Sequence, residues 1–399
     1  ALRAGGVCFE SYFGQRWIDP HGTAHRPADA DTLFRVASVS KWVTALGVLT
    51  LLERGRLALD EDISAYLGVV IRNPNFPAQP ITLRMLLCHT SSLRDSAGYN
   101  FPESVDLRDV LLGRRAVAAD RSAWSHDAAP GQHFAYCNLA SGVVATIIEA
   151  ATGQRFDRFM QQAVFAPLGI LATFDPAALA PDVHRNIATL YRKRLEGDGG
   201  EIWQTDGPWQ PQVDDYHATA PASRASANYV PGRNGTLMSP QGGLRISARG
   251  LASLVRTVIA GGRHAGRVAF DPAWLDEMFR PQWQRRAAVD ERVQGDEEGG
   301  QRIQAWGLGA QHFTDTFASG RGDWLKEGGG VTAVGHLGDA YGLTSAVTFD
   351  RRTGDGVIFL CGGVGFDPAT DPGRYSGFYR YEELILDATW RFVLAAQTH

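Results

Sequence analysis

The chain has 399 residues, enough for one large α/β domain with an inserted subdomain or for two domains of ordinary size. Hydrophobic residues make up 44% of it and charged residues 21%, which is typical of a globular protein and excludes a disordered or fibrous one. The formal net charge of −4 leaves no basic excess to bind a nucleic-acid backbone. We therefore expect no nucleic-acid partner.

The longest nearly unbroken apolar stretch, residues 42–52, is shorter than the roughly 18 residues that cross a bilayer, so no membrane span is predicted. The four cysteines lack the spacing of zinc sites and disulfide frameworks. We interpret them as thiols and expect no metal and no cofactor. The chain opens without a basic segment followed by an apolar run, which favours the cytoplasm and leaves the periplasm open for a chain whose signal peptide has been removed.

In chain order, the β-forming residues 7–13 follow a Gly5-Gly6 pair and predict a hairpin of edge strands. Apolar residues at helical spacing then predict a helix over 38–53 that ends before Gly55. Further helices are predicted at 82–88, 139–151, 156–164, 248–260 and 381–396, and strands at 333–337, 343–349 and 356–361.

Two segments lack regular periodicity. Residues 193–243 are predicted to form a long irregular loop, and the charged run 285–302 a solvated one. Strands near both ends with helices between them predict an α/β (α+β) fold, an antiparallel sheet flanked by helices and carrying an inserted, mainly helical subdomain. We place the sheet domain at 1–65 and 235–399 and the helical subdomain, with the long loop, at 66–234.

Lys41 is one of only three lysines and follows Ser38 by three residues at the start of the predicted helix. Residues i and i+3 share a helix face, so the amine can reach the hydroxyl. A lysine in a water-poor site can lose its proton and act as the base that activates a serine. The backbone N–H groups of a helix N-terminus also favour an oxyanion there. The spacing by itself is common, so further residues are needed.

Tyr136 and Asn138 precede another predicted helix and flank Cys137. In an extended segment residues two apart point the same way, so the phenol and the amide can face one cavity. A tyrosine placed there can move a proton between nucleophile and leaving group. Taken alone, a tyrosine beside a helix start is more often a packed residue.

His336 and Gly338 precede Asp339 in a glycine-rich segment that leads into a predicted strand. Glycine at a strand edge lets the backbone approach a ligand closely. His264-Ala-Gly266 has the same spacing but lies in a polar turn, so we prefer His336.

In this order and at these separations, Ser38-x-x-Lys41, Tyr136-x-Asn138 and His336-x-Gly338 resemble the three motifs of the serine β-lactamase and penicillin-binding protein superfamily. A tyrosine at the first position of the second motif is typical of the class C-like branch, so this chain resembles that branch. It includes family VIII carboxylesterases, D-aminopeptidases and D-amino-acid amidases. The resemblance implies a β-lactamase/transpeptidase-like fold.

The resemblance also implies roles. Ser38 is the nucleophile that becomes acylated, Lys41 activates it, and Tyr136 protonates the leaving group and then activates water. Backbone N–H groups of Ser38 and Asp339 form the implied oxyanion hole. The implied substrate-binding residues are Asn138, His336, Gly338 and Asp339.

The third motif departs from its relatives, because Leu337 stands where they place a hydroxyl and His336 where they place lysine. The carboxylate of a β-lactam would therefore lack two hydrogen-bond donors at this position. A hydrogen bond to a charged group contributes about 1.5–3 kcal/mol to binding. We therefore predict a serine hydrolase that forms an acyl-enzyme on Ser38, a carboxylesterase for small uncharged esters. The alternatives are a D-amino-acid amidase or aminopeptidase, a weak β-lactamase, and a non-catalytic penicillin-binding sensor. The expected partner is a small-molecule ester or amide, and the sequence assigns no oligomeric state.

Overall fold

A computed structural model describes residues 1–22, 24–115, 122–197, 200–286 and 302–395 of the chain. The helices within these ranges are α1 (Val39–Glu53), α2 (Ser64–Leu67), α3 (Leu83–Leu87), α4 (Leu107–Leu111), α5 (Asn138–Thr152), α6 (Phe156–Met160), α7 (Pro181–His184), α8 (Ala248–Ile259), α9 (Pro272–Met278) and α10 (Arg380–Ala395). The strands are β1 (Leu2–Arg3), β2 (Gly6–Val7), β3 (Gln15–Trp17), β4 (Arg26–Pro27), β5 (Phe34–Arg35), β6 (Ala172–Thr173), β7 (Leu190–Arg192), β8 (Arg194–Gly197), β9 (Gly200–Trp203), β10 (Gln210–Val213), β11 (Arg245–Ile246), β12 (Arg263–His264), β13 (Arg267–Val268), β14 (Trp283–Gln284), β15 (Ala305–Trp306), β16 (Gln311–Phe313), β17 (Ala333–Ala340), β18 (Leu343–Phe349) and β19 (Gly356–Gly362).

The largest sheet has eight antiparallel strands in the order β14-β15-β16-β17-β18-β19-β1-β2. Helices cover both faces of this sheet. Successive residues of a strand point to opposite faces, so neighbouring residues of β18 contact different helices. Val347 of β18 belongs to the hydrophobic cluster of Trp42 in α1, and its neighbour Ala346 belongs to the cluster of Trp390 in α10. The predicted fold class, an antiparallel sheet flanked by helices, is confirmed.

Helices α1 to α7 lie between β5 and β11 in the sequence. The boundaries at 65/66 and 234/235 stay a prediction. The largest hydrophobic cluster includes residues from both sides of them, such as Val43 of α1 and Ile147 of α5.

Helix α1 is the central helix of the core, and every residue from Val39 to Leu52 is buried. The sequence pattern indicated one apolar face, whereas the structure packs α1 against both the sheet and the helices α5, α6 and α9. Close approach depends on Gly47, where a Cβ would lie 2.5 Å from Met160 Sδ. Because α1 is held from all sides, its N-terminus is fixed relative to the sheet.

The other predicted elements agree closely with the structure. The helices predicted at 82–88, 139–151, 156–164, 248–260 and 381–396 correspond to α3, α5, α6 with its π-helical continuation Gln161–Phe165, α8 and α10, and residue 396 lies outside the described ranges. The three predicted strands correspond to β17, β18 and β19, of which β17 extends to Ala340.

Two predictions of local structure were wrong. The N-terminal hairpin is β1–β2, which turns at Ala4 and Gly5, and residues 8–13 form no strand. The predicted loop 193–243 contains β8, β9 and β10. The β8–β9 hairpin leaves Leu195 and Ile202 exposed, so it lacks the alternating buried pattern that marks a strand in a sequence. Most of the charged run 285–302 lies outside the described residues.

Within the described ranges, no helix has both the length and the apolar character that crossing a bilayer requires. All four cysteines are free thiols, as predicted.

Candidate active site

A tight turn places Ser38 at the start of α1. Ala37, just before it, adopts a left-handed conformation with φ of 48° and is almost fully buried. The Ser40 hydroxyl donates to the Ala37 carbonyl at 2.6 Å, and the Val36 N–H donates to the Leu244 carbonyl at 2.9 Å. The turn is therefore fixed on both sides, and Ser38 lies where helix N–H groups have no intrahelical acceptor.

The Lys41 amine is buried one helical turn beyond Ser38, and the residue is 4% exposed. Its Nζ lies 2.9 Å from Ser38 Oγ, 2.7 Å from Asn138 Oδ1 and 3.1 Å from the Gln241 carbonyl oxygen. The amide and carbonyl oxygens only accept hydrogen bonds, whereas the serine hydroxyl can also donate. A neutral amine in this position would donate its two protons to the two oxygens and turn its lone pair toward the serine.

Asn138 is oriented by Asp95, which the sequence analysis missed. Asp95 Oδ2 accepts from the Asn138 backbone N–H at 2.8 Å and from Asn138 Nδ2 at 2.9 Å, and Oδ1 accepts from the Leu139 N–H at 2.8 Å. The carboxylate caps the N-terminus of α5 from a distant loop and fixes the amide with its oxygen toward Lys41. No periodicity marks Asp95, because its partner lies 43 residues away.

The Tyr136 ring lies over the amine, with its centroid 4.6 Å from Lys41 Nζ. It packs against His89 at 4.6 Å and Trp306 at 5.8 Å between ring centroids. Burial holds the pKa of His89 well below its usual range, with a smaller effect of the Lys41 charge. The His89 ring is thus neutral, and Nδ1 accepts the Cys137 N–H at 3.2 Å.

Strand β17 forms the wall opposite α1. β18 pairs with β17 as far as Ala340, whereas β16 pairs with it only as far as Gly335. Among the described strands none pairs with residues 336–340 on the β16 side, so alternate N–H groups there are left for a ligand. Gly338 packs directly on the serine turn, because a Cβ there would lie 2.6 Å from the Val36 carbonyl oxygen and 2.4 Å from Ser345 Oγ.

A cavity of about 210 Å³ opens between these elements. Five of the predicted site residues line it, while Lys41 and Asn138 lie behind Ser38. Its lining residues are Ser38, Tyr136, Arg302, Ile303, Trp306, Gln311, His336, Leu337, Gly338, Asp339, Tyr379 and Glu382. A larger cavity of about 580 Å³ beside α6 contains none of the predicted site residues, and its Arg155 is paired with Asp157 and Asp175.

His336 is 2% exposed, and burial together with the nearby Lys41 charge lowers its pKa to about 3. Its Nδ1 lies 2.5 Å from the Leu337 carbonyl oxygen, which can only accept, so the ring carries its proton on Nδ1. Nε2 has no hydrogen-bond partner among the described residues. His336 therefore presents a neutral acceptor, where a lysine would present a positive donor.

Sequence reasoning also missed Tyr379 and Glu382, which line the far side of the cavity at the start of α10. Glu382 falls in the predicted C-terminal helix 381–396 and Tyr379 lies just before it, and helical periodicity gives no sign that this helix reaches the site.

The chain is similar to several known proteins. The family model described as Beta-lactamase matches residues 2–376. Esterase EstB of Burkholderia gladioli is 37% identical over 201 residues, which cover 46% of this chain and 49% of EstB. The chain spans about half the length, or less, of the curated relatives that it matches.

Two solved structures share the fold. The octameric penicillin-binding protein homologue from Pyrococcus abyssi has a TM-score of 0.65 and 19% identity, covering 99% of this chain and 72% of that one. The D-amino acid amidase from Ochrobactrum anthropi SV3, complexed with D-phenylalanine, has a TM-score of 0.60 and 20% identity, covering 94% and 87%. Since the family model matches nearly the whole chain, this protein belongs to the beta-lactamase family, a serine hydrolase superfamily that includes penicillin-binding proteins and esterases.

Proposed function

We propose that this protein is a serine esterase that forms an acyl-enzyme on Ser38 and hydrolyses small carboxylic esters. The observation that carries the proposal is the set of contacts of Lys41 Nζ, with the Ser38 hydroxyl at 2.9 Å and two obligate acceptors on its other sides. This arrangement suits a base that takes the serine proton. The similarity to esterase EstB supports the choice of an ester.

In acylation, the neutral Lys41 amine accepts the Ser38 proton while Oγ bonds to the ester carbonyl carbon. The carbonyl oxygen becomes an oxyanion, which the backbone N–H groups of Ser38 and Asp339 stabilise. The bond to the alkoxide then breaks, and Tyr136 supplies the proton that the leaving alcohol needs. Lys41 returns the proton to the phenol, so both groups recover their starting states.

In deacylation, the neutral Lys41 amine first takes the phenol proton of Tyr136, and the resulting phenolate accepts a proton from water as the water oxygen bonds to the acyl carbon. The ester bond to Ser38 breaks, and Oγ regains its proton from Lys41. The products are a carboxylic acid and the free enzyme. Asn138 holds the amine in place through both half-reactions.

The third motif argues for esters that carry no carboxylate. A β-lactam carboxylate at this position would meet the His336 ring, which has a pKa of about 3 and is therefore neutral near pH 7, and the apolar Leu337. The lone pair on Nε2 cannot donate to a carboxylate. We expect a chromogenic cephalosporin to be hydrolysed much more slowly than a neutral short-chain ester.

The test is Ser38→Ala, assayed with p-nitrophenyl acetate and butyrate and with a chromogenic cephalosporin. Loss of the nucleophile should lower ester kcat/KM by roughly 1000-fold or more. Ser226→Ala is the matched control, because it removes an exposed hydroxyl that donates to Glu103 and accepts from the Asn228 N–H, outside the lining of the Ser38 cavity. Equal ester turnover by wild type and Ser38→Ala, or a cephalosporin hydrolysed faster than the esters, would contradict the proposal.

A further inference from the structure

The segment that carries Tyr136 belongs to no described sheet, so its backbone N–H groups are not bonded to a neighbouring strand. Residues 133–137 have no regular secondary structure, and Cys137 is extended, with φ of −141° and ψ of 116°. One distant residue accepts hydrogen bonds from this segment twice. The His89 carbonyl accepts from the Ala135 N–H at 2.8 Å, and His89 Nδ1 accepts from the Cys137 N–H at 3.2 Å. His89 therefore acts here as a neighbouring strand would.

These two hydrogen bonds lie on either side of Tyr136 and fix the direction of its side chain. Successive side chains of an extended segment point to opposite faces, so a backbone held at residues 135 and 137 leaves residue 136 one direction. That direction brings the phenol ring over Lys41 Nζ, which lies 4.6 Å from the ring centroid. A twist of the segment would move the phenol away from the amine.

The His89 imidazole also packs against the phenol ring. The two ring centroids lie 4.6 Å apart, with 36° between the ring planes. Trp306 contacts both rings, and its centroid lies 5.1 Å from that of His89 and 5.8 Å from that of Tyr136. His89 itself is 4% exposed and is not one of the residues that line the Ser38 cavity. Its route to the substrate is therefore through the rings of Tyr136 and Trp306, which do line the cavity.

The His89 backbone adopts a conformation that is uncommon for a residue with a side chain. Its φ is 57°, in the left-handed region. Residues other than glycine persist in this region where the surrounding contacts determine it, and such positions are common at active sites. With this backbone, both the carbonyl and the imidazole of one residue face the segment that carries Tyr136. Position 89 thus has two requirements, tolerance of a left-handed backbone and an acceptor close to it.

We propose that His89 is the positioning residue for Tyr136, and that its Nδ1 acceptor holds the phenol in reach of Lys41 and of the leaving group. The inference rests on the proposed esterase function, in which Tyr136 protonates the leaving alcohol. His89 exchanges no proton with the substrate in this role. Any side chain that tolerates the left-handed backbone and offers an acceptor at the position of Nδ1 can therefore replace it.

The test uses two esters of the same acid, ethyl butyrate and p-nitrophenyl butyrate. Ethoxide needs a proton as it leaves, whereas p-nitrophenolate leaves as a stable anion, so only the ethyl ester depends strongly on the acid in acylation. The measured quantity is kcat/KM for ethyl butyrate divided by kcat/KM for p-nitrophenyl butyrate. Because both esters form the same acyl-enzyme, general damage to the protein should lower both values equally and leave this ratio unchanged.

His89→Gly and His89→Asn form the matched pair. Both variants tolerate a left-handed backbone and both lack the imidazole, but only asparagine offers an acceptor, Oδ1, at the position of Nδ1. We expect His89→Gly to lower the ratio by about tenfold or more, because a small displacement of a catalytic group has an effect of that size. His89→Asn should keep the ratio within about threefold of wild type.

His184→Asn is the control for the loss of a buried histidine. His184 is 8% exposed, and its Nε2 lies 3.0 Å from the Pro176 carbonyl oxygen, outside the lining of the Ser38 cavity. Its ratio should equal that of wild type. If His89→Gly does not fold, as judged by circular dichroism, His89→Leu takes its place. Leucine fills the site without an acceptor and should lower the ratio in the same way.

The two proposals fail separately. Suppose that both esters are hydrolysed in a reaction that depends on Ser38. A ratio in His89→Gly equal to that of wild type, or an equally low ratio in His89→Asn, would then overturn the role of His89 Nδ1 and leave the esterase standing. Absence of Ser38-dependent hydrolysis of both esters by wild type would overturn the esterase, and the role of His89 in it.

Discussion

Asp95 is the residue on which the orientation of the candidate catalytic amine depends. Asp95 accepts hydrogen bonds from the backbone N–H and the side-chain amide of Asn138. Asn138 Oδ1 in turn accepts from Lys41 Nζ, which lies 2.9 Å from Ser38 Oγ. The position of the amine beside the serine therefore depends on Asp95. A carboxylate accepts at both oxygens, and only an acceptor at Asp95 keeps the Asn138 oxygen turned toward the lysine.

Asp95→Asn should therefore disturb the site without removing a reacting group. The new NH₂ would face N–H donors of Asn138 or Leu139, so the Asn138 amide would lose its fixed orientation. We expect kcat for p-nitrophenyl butyrate to fall by about tenfold or more with little change in KM. Loss of the cap on α5 should cost about 1 kcal/mol of unfolding free energy.

Asp127→Asn provides the control for that change. Asp127 is exposed and accepts from the Ser125 hydroxyl at 2.9 Å, away from the cavity. Its kcat and KM should match those of wild type. A kcat for Asp95→Asn equal to that of wild type would mean that the amide orientation has no bearing on the serine.

At the scale of elements, the site depends on how closely β17 approaches the turn before α1. Gly338 is the contact point, with no room for a Cβ between Ser345 Oγ and the Val36 carbonyl. The same contact sets the distance between the Ser38 N–H and the backbone of β17. The glycine of the third motif is thus explained by packing between two elements.

Gly338→Ala should separate β17 from the serine turn. We expect kcat to fall by at least about tenfold, because the oxyanion donors move apart, and the melting temperature to fall as the sheet edge shifts. Steady-state kinetics with thermal denaturation measures both effects. Gly6→Ala on edge strand β2 is the control, since its Cβ would meet only the Arg3 carbonyl at 3.5 Å. Unchanged kcat in Gly338→Ala would show that the strand tolerates displacement.

At the scale of the whole molecule, buried neutral histidines couple folding to pH. Burial lowers the pKa of His312 on β16 to about 4 and that of His336 to about 3, and His89 shifts in the same direction. In the unfolded chain a histidine takes up its proton near pH 6.5. Between these values the unfolded state binds more protons, so stability rises with pH.

The stability that these histidines contribute is complete above about pH 6.5 and is lost as the pH falls toward 4. His312→Gln should flatten the dependence of the unfolding free energy on pH in this range by on the order of 2 kcal/mol. Denaturant titrations at pH 7.5 and pH 5 measure it. His126→Gln, at an exposed position, should keep the wild-type slope, and an unchanged slope in His312→Gln would assign the acid sensitivity to other groups.

The sequence by itself determined the parts of this protein that depend on near neighbours. Ser38 and Lys41 lie one turn apart on α1, so helix geometry alone brings amine and hydroxyl within reach. The strands β17 to β19 and the helices α1, α5 and α8 could be predicted, because the spacing of their apolar residues is visible within each short segment of the sequence. The order of the three motifs was sufficient to indicate the family.

Only the tertiary structure decided which distant residues complete the site. Asp95 meets Asn138 across 43 residues, and Lys41 meets Asn138 across 97. Glu382 reaches the cavity of Ser38 because α10 packs on the sheet that β1 and β19 join from the two ends of the chain. Such contacts follow from how buried faces fit together, and packing is a property of the assembled core that no local pattern contains.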